Sequence, residues 1–154
     1  MQGFLCRSLT PEQAPSVYPL AREAIPGLEL RTWTAFAKRV CQKRRGVREG
    51  IIVVQRRPRP LPCGLFVYRC EQDLVHGAIL GAEHFIAVDV LDPEPVMRAL
   101  VAELDRLAER LACKTIRTTV FGQSSLLIAG LREAGHRSEG ETLWKTVEKG
   151  GEAE

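Results

Sequence analysis

The segment from residue 81 to residue 120 most constrains the fold, because two strand patterns flank one long helical pattern. Residues 83–91 predict a strand, residues 92–112 a helix and residues 115–120 a second strand. The apolar positions of the helix recur three or four residues apart, and charged residues occupy the opposite face. These apolar positions are Val96, Leu100, Val101, Leu104, Leu107 and Leu111. A strand, a long helix and a strand in this order predict a βαβ unit with parallel strands.

The rest of the chain predicts further strands around this unit. Strand patterns occupy residues 4–8, 50–55, 64–69 and 142–147, and residues 74–80 predict part of a strand that continues into the central one. Helical patterns occupy residues 10–25, 30–44 and 124–134. The proline-rich residues 56–62 predict an exposed hairpin loop. The order β-α-α-β-β-β-α-β-α-β predicts an α/β (α+β) fold, in which helices flank both faces of a mixed sheet of about six to seven strands.

Length and composition predict one soluble domain. The chain has 154 residues, which suits a single domain over residues 1–147, and the charged, glycine-containing residues 148–154 predict a disordered tail. No apolar run is long enough to span a bilayer, and no signal-peptide pattern is present, so no membrane contact is expected. The five cysteines are scattered and never form a C-x-x-C pair. This pattern favours reduced thiols in the cytoplasm over disulfides or a zinc site.

Three stretches carry a resemblance to a known family. Arg98-Ala99-Leu100-Val101 with Glu103-Leu104, and Leu111-Ala112-Cys113-Lys114-Thr115-Ile116, are similar to the long helix and following strand of GNAT N-acetyltransferases. Leu131-Arg132-Glu133-Ala134-Gly135-His136 is similar to the end of their late helix. Together with the element order, the chain resembles the GNAT superfamily over nearly its whole length, which implies a GNAT-like fold.

The resemblance also identifies a departure in the loop that holds the pyrophosphate of coenzyme A. In the family this loop begins with a basic residue or glutamine and has small residues at its fourth and sixth positions. The corresponding residues here are Asp92-Pro93-Glu94-Pro95-Val96-Met97. Two prolines remove amide donors, and two carboxylates place negative charge at the helix N-terminus. The sequence therefore predicts a degenerate acyl-CoA loop and a helix that is simply capped. The alternative is an alignment shifted by a few residues, although no glycine lies between Ala82 and Phe121 to supply the loop.

The catalytic positions implied by the resemblance are also altered. Leu131 stands where many family members have a tyrosine that protonates the leaving thiolate, and Ser124 stands where an asparagine is common. If the chain is an enzyme, the candidate catalytic residues are Glu83, His84, Asp89 and Ser124. Val88, Val90 and Val96 would then bind acyl-CoA, with strand amides holding the thioester carbonyl. The alternatives are a half-buried strand histidine at His84, a solvent-facing Asp89 and an N-cap at Ser124.

A basic stretch from Lys38 to Arg59 is the second unusual feature. It holds nine lysines and arginines against the single acid Glu49, a formal charge of +8 in a chain whose total is +3. Such a stretch is typical either of a solvated surface or of a site for a polyanion, which could be nucleic acid, an acidic protein surface or the phosphates of a coenzyme. No aromatic residue lies among these arginines, which disfavours stacking on single-stranded nucleic acid.

Two functions follow from these observations. The first is a non-catalytic, GNAT-like binding or regulatory module without a cofactor, which the loop chemistry favours. The alternative is an atypical N-acyltransferase that transfers an acyl group from acetyl-CoA or another acyl-CoA to an amine. The scattered histidines predict no metal site. The sequence leaves the oligomeric state open, with a dimer as one alternative.

Overall fold

A computed structural model describes residues 3–42, 48–57, 61–88, 92–121 and 124–148 of the chain. The strands are β1 (Phe4–Ser8), β2 (Glu49–Arg56), β3 (Leu61–Asp73), β4 (Gly77–Ala87) and β5 (Thr115–Thr118). The α-helices are α1 (Ala14–Ala24), α2 (Leu30–Cys41), α3 (Glu94–Arg110) and α4 (Ser125–Glu133), and a 3-10 turn (Pro11–Gln13) precedes α1.

The strands form one mixed sheet in the order β1-β2-β3-β4-β5. The first four strands pair antiparallel, and β5 pairs parallel with β4 through the α3 crossover, as the βαβ pattern predicts. Apolar residues of α1 and α2 pack on one face of the sheet, and those of α3 and α4 pack on the other. The predicted GNAT-like α/β architecture is confirmed, with five described strands instead of six to seven.

The hairpin between β2 and β3 extends further than the sequence indicates. Pro62 was expected in the loop, but it lies in β3 opposite Gln55. A proline cannot donate a ladder hydrogen bond, and here the pairing register shifts between Val54 and Gln55, where such a residue is tolerated. The expected continuation of residues 74–80 into the central strand is seen from Gly77 onward, because β4 runs unbroken from Gly77 to Ala87 and residues 74–76 form the turn before it.

The C-terminal segment differs most from the expectation. Residues 142–147 were predicted as a last strand, but they have no regular secondary structure. Leu143, Trp144 and Val147 are 87%, 78% and 82% exposed, so these apolar side chains face solvent. A strand needs a neighbour to satisfy its backbone groups, and β5 offers a ladder of only four residues. The expected disordered tail lies outside the described residues, apart from Glu148.

The helix α3 lies directly against the sheet at Gly64. A Cβ atom at Gly64 would lie 2.7 Å from Cγ1 of Val96 and 3.0 Å from the Ile86 carbonyl oxygen. Val96 and Leu100 are fully buried at this contact. Because Gly64 of β3 has no side chain, the N-terminal half of α3 can approach the sheet closely.

Candidate functional site

The strands β4 and β5 separate at their C-terminal ends. Their described register ends at the pair Ala82 and Thr118, and the Thr119 amide donates the next hydrogen bond to the Ala82 carbonyl at 2.9 Å. Beyond that point β4 continues to Ala87 without a described β5 partner. Ligands of open α/β sheets commonly bind beyond the carboxyl ends of the strands. The separation therefore defines the candidate site.

A bulge at His84 shapes this part of β4. His84 has a φ of 57°, in the left-handed region that a non-glycine residue enters at a cost, and the β3–β4 register shifts beside it. Before the bulge, Leu80 and Ala82 pack toward α3 and α4; after it, Phe85 and Ala87 do so. The inserted residue thus reverses which face the later side chains occupy.

A cleft of about 150 Å³ lies where the two strands separate. Its walls come from β4, from the segment after β5, from the end of α1 and from the start of α4. The lining residues are Ala24, Ile25, His84, Phe85, Ile86, Thr119, Val120, Phe121, Ser124 and Leu127. This wall is mostly apolar, with the imidazole of His84 and two hydroxyl groups as its polar side chains. Such a cleft suits a small ligand or an acyl chain with few polar atoms.

Aromatic rings surround His84. Its imidazole packs edge-on against Phe36 of α2, with ring centroids 6.4 Å apart, and lies 5.1 Å from Phe121. Phe121 in turn contacts the largely exposed Trp144, with centroids 5.9 Å apart. The Glu83 carboxylate lies 3.4 Å from Nε2 of His84, and both side chains are more than a third exposed. Two of the predicted catalytic residues therefore lie together at the cleft.

The start of α4 supplies another predicted residue. Ser124 Oγ accepts a hydrogen bond from the Leu127 amide at 3.4 Å, so Ser124 is the N-cap of α4 while it also lines the cleft. Leu131 is 4% exposed and belongs to the core. At the other end of α4, Gly135 has a φ of 100° and the His136 amide donates to the Leu131 carbonyl, a Schellman ending.

His136 lies near the cleft strand but has a different environment. Its Nδ1 is 3.3 Å from Thr118 Oγ1. Burial lowers the pKa of His136, and the nearby Asp105 carboxylate acts in the opposite direction.

The third histidine, His76, lies away from the cleft and is paired with Glu139 at 2.7 Å. Among the described residues, no three histidine, cysteine or acidic side chains are grouped closely enough to hold a metal ion.

At the N-terminus of α3, side chains of the chain itself bond to backbone and charged groups that a ligand would otherwise contact. The Glu94 amide donates to Oδ1 of Asp92 at 3.0 Å, and the Glu94 carboxylate pairs with Arg98 one turn later. Pro93 is the N-cap, and Pro95 has no amide hydrogen to offer. One of the few amides at this end is thus bonded to a carboxylate of the chain itself.

The residues predicted to bind acyl-CoA are distributed differently. The Val88 amide donates to the Cys63 carbonyl at 2.8 Å, so it completes the β3–β4 ladder. Val96 lies in the first turn of α3, and its side chain is fully buried against the sheet. Asp89 and Val90 lie outside the described residues. Phe85, Thr119 and Phe121 also line the cleft and were not predicted from the sequence, although the change of alternation from Ala82 to Phe85 is a signal of the bulge.

The basic stretch is divided by the fold. Lys38 and Arg39 lie in the last turn of α2 and Arg48 just before β2, whereas Arg56 and Arg57 lie at the end of β2, roughly 25 Å from Arg48 at the usual rise of a strand. The intervening Lys43, Arg44 and Arg45, as well as Arg59, lie outside the described residues. Within the described ranges, no helix has the length and apolar character needed to cross a bilayer.

Comparison with known proteins gives structural matches only. No protein-family model matches the chain. No curated protein matches it either. Solved structures match this chain over almost the full length of both chains. Aminoglycoside N-acetyltransferase AAC(6')-Iy in complex with CoA has a TM-score of 0.76 and 11% identity, with 96% of this chain and 97% of that chain covered.

Two further structures carry different names. Ribosomal-protein-alanine N-acetyltransferase from Brucella melitensis biovar Abortus 2308 has a TM-score of 0.72 and 12% identity, over 94% of this chain and 99% of that chain. A transcriptional regulator from Bacillus halodurans C-125 has a TM-score of 0.75 and 15% identity, over 94% and 99%. At these identities the matches establish the fold. The chain has the GNAT-like fold of the N-acetyltransferases.

Proposed function

We propose that the chain is a non-catalytic, GNAT-like binding module that does not use acyl-CoA as a cofactor. The observation that supports this proposal is the N-terminus of α3. A pyrophosphate at a helix N-terminus is held by free amides and by the positive end of the helix dipole. Here Pro95 removes a donor, Asp92 accepts the Glu94 amide, and two carboxylates carry negative charge where the phosphates would lie.

The energetic consequence is substantial. Each charge at a helix terminus contributes roughly 0.3–2 kcal/mol, with a sign that depends on its charge. Several such contributions are lost or reversed together at this terminus. We therefore expect acetyl-CoA to bind more weakly than about 0.1 mM, near −5.5 kcal/mol on the standard scale.

Calorimetric titration of acetyl-CoA tests the proposal. The parent chain should give no saturable heat at micromolar concentrations. The variant Pro93→Gly, Glu94→Lys, Pro95→Gly should bind more tightly, because it restores two amide donors and reverses one charge. Glu109→Lys makes the same change of charge near the C-terminal end of α3 and should leave the affinity unchanged. Micromolar binding by the parent chain would refute the proposal.

The partner that we propose is an acidic protein surface or another polyanion. The support is the excess of cations between Lys38 and Arg59, with described members near both ends of β2. Reversal of Lys38 and Arg39 and, separately, of Arg56 and Arg57 locates the surface. Loss of salt-sensitive binding in only one of the two variants identifies the contact as the last turn of α2, for Lys38 and Arg39, or the end of β2, for Arg56 and Arg57. Equal binding by both variants and the parent would exclude the described cations as the contact.

The cleft supports one alternative, an atypical acyl-CoA-dependent N-acyltransferase. His84 lines the cleft, Glu83 lies beside it, and either could accept a proton from an incoming amine. Release of free coenzyme A from acetyl-CoA in the presence of primary amines would favour this function. The rate should then fall at least tenfold in His84→Gln. Absence of any amine-dependent release by the parent chain would exclude it for the amines tested.

A further inference from the structure

Two cysteines that are far apart in sequence touch each other. Cys70 lies in β3, and Cys113 lies in the turn between α3 and β5. Their Sγ atoms are 3.6 Å apart, and both side chains are partly exposed while they pack against the core under α3. The strand β4 lies between the two segments, since Leu80 pairs with Cys70 on one side and with Ile116 on the other.

The turn after α3 holds Cys113 in this position. Ala112 has a φ of 57°, in the left-handed region usually taken by glycine at a helix end. The Ala112 amide donates to the Glu109 carbonyl, and the Cys113 amide donates to the Ala108 carbonyl at 2.9 Å. These two hydrogen bonds form a Schellman ending. The backbone at Cys113 is therefore held by hydrogen bonds of the helix end.

The other three cysteines lie in different surroundings. Burial raises the pKa of Cys6 to about 11, with the Glu103 carboxylate contributing in the same direction. Burial also raises the pKa of Cys41 to about 11, and the pKa of Cys113 is likewise raised by burial and by its contact with Cys70. Cys63 is buried, and its Sγ lies 3.5 Å from the Val54 carbonyl oxygen. The described thiol contacts therefore bring only Cys70 and Cys113 together.

We propose that Cys70 and Cys113 are a redox-sensitive dithiol that a hydroperoxide converts to a reversible disulfide. In the first step one thiol gives its sulfur electrons to the peroxide, the O–O bond breaks, and a sulfenic acid and an alcohol or water form. In the second step the other thiol attacks the sulfenic sulfur, the S–O bond breaks, and the disulfide and water form. A dithiol reductant restores both thiols.

The geometry requires little movement for this step. A disulfide has an S–S length of about 2.04 Å, so the two sulfurs need to approach by roughly 1.6 Å. The bond would join β3 to the start of β5 across β4. This place is at the opposite end of β5 from the cleft, so the inference does not depend on the proposed function.

Thiol counting and peptide mapping test the inference. Reduced, desalted protein should contain five titratable thiols after denaturation, and hydrogen peroxide at a low molar excess should reduce the number to three. Mass spectrometry should find a loss of two hydrogens and one linked pair of peptides, containing Cys70 and Cys113. Dithiothreitol should return the number to five.

Serine variants supply the controls. Cys70→Ser and Cys113→Ser should each keep four thiols at the same dose, with no linked peptides. Cys41→Ser should still form the link and finish with two thiols. Five free thiols in the oxidised parent, a link between another pair, or sulfinic acid without a link would each overturn the inference. The mapping of the parent chain gives this answer even if a variant fails to fold.

Discussion

Substitution of Gly64 by alanine tests the close contact between α3 and the sheet. The added Cβ would lie 2.7 Å from Val96 Cγ1, 3.0 Å from the Ile86 carbonyl oxygen and 3.3 Å from Leu100 Cδ1. Overpacking of a buried site costs about 1–3 kcal/mol, and alanine regains roughly 0.5–1 kcal/mol of chain entropy relative to glycine. We expect a net loss of about 1–2 kcal/mol in the free energy of unfolding.

The partner substitution Val96→Ala identifies the cause. By itself it should destabilise the chain by about 2 kcal/mol, because it removes two buried methyl groups. In the double variant the new methyl group occupies part of the space that Val96 leaves. The combined loss should therefore be smaller than the sum of the single losses by at least about 1 kcal/mol. The contact with the Ile86 carbonyl remains, so the compensation is incomplete.

Urea unfolding followed by circular dichroism measures these free energies. Gly130→Ala is the matched control, because its nearest contact is Val101 Cγ2 at an ordinary 3.8 Å. That variant should gain about 0.5–1 kcal/mol from helix propensity. Additivity of Gly64→Ala and Val96→Ala within roughly 0.5 kcal/mol would refute the contact as the source of the cost.

Three further expectations concern capping, pH and charge. Ser124→Ala should lower the free energy of unfolding by about 1 kcal/mol through loss of the α4 N-cap, whereas Ser125→Ala should have little effect in the same urea assay. Burial lowers the pKa of His136 in the folded chain, so the unfolded chain binds more protons at this residue as pH drops through the usual histidine pKa, near 6.5. The free energy of unfolding should therefore fall as pH drops through that value. His136→Gln should remove this slope in thermal melts from about pH 5 to 7. Reversal of Arg56, Arg57 and Arg59 to glutamate should change thermal stability little and weaken retention on heparin; unchanged retention would contradict a polyanion site there.

The sequence predicted the elements whose signals are local. The apolar spacing of α3, the capping residues Ser124 and Gly135, and the βαβ connection into β5 all appear as expected. These features depend on residues a few positions apart. The GNAT-like fold followed from their order, and the prolines and carboxylates of Asp92–Pro95 lie at the start of α3, as expected.

Features that depend on distant neighbours were missed. Residues 142–147 have a strand-like pattern, yet a strand forms only when another ladder accepts its backbone groups. The bulge at His84 requires a left-handed residue that is not glycine, which local propensity disfavours. The cleft residues Phe85, Thr119 and Phe121 meet only because β4 and β5 separate, and the contact of Cys70 with Cys113 crosses an intervening strand.

The lengths of the strands bear on self-association. The interior strands β2, β3 and β4 contain 8, 13 and 11 residues, whereas the edge strands β1 and β5 contain only 5 and 4. Arg7 lies on one edge strand and Arg117 on the other. Short, charged edges offer a poor template for a strand from another molecule. Among the described strands, the edges at β1 and β5 are therefore poor starting points for fibrillar growth, whereas β4 lacks a described β5 partner beyond Ala82 and is the more open edge there.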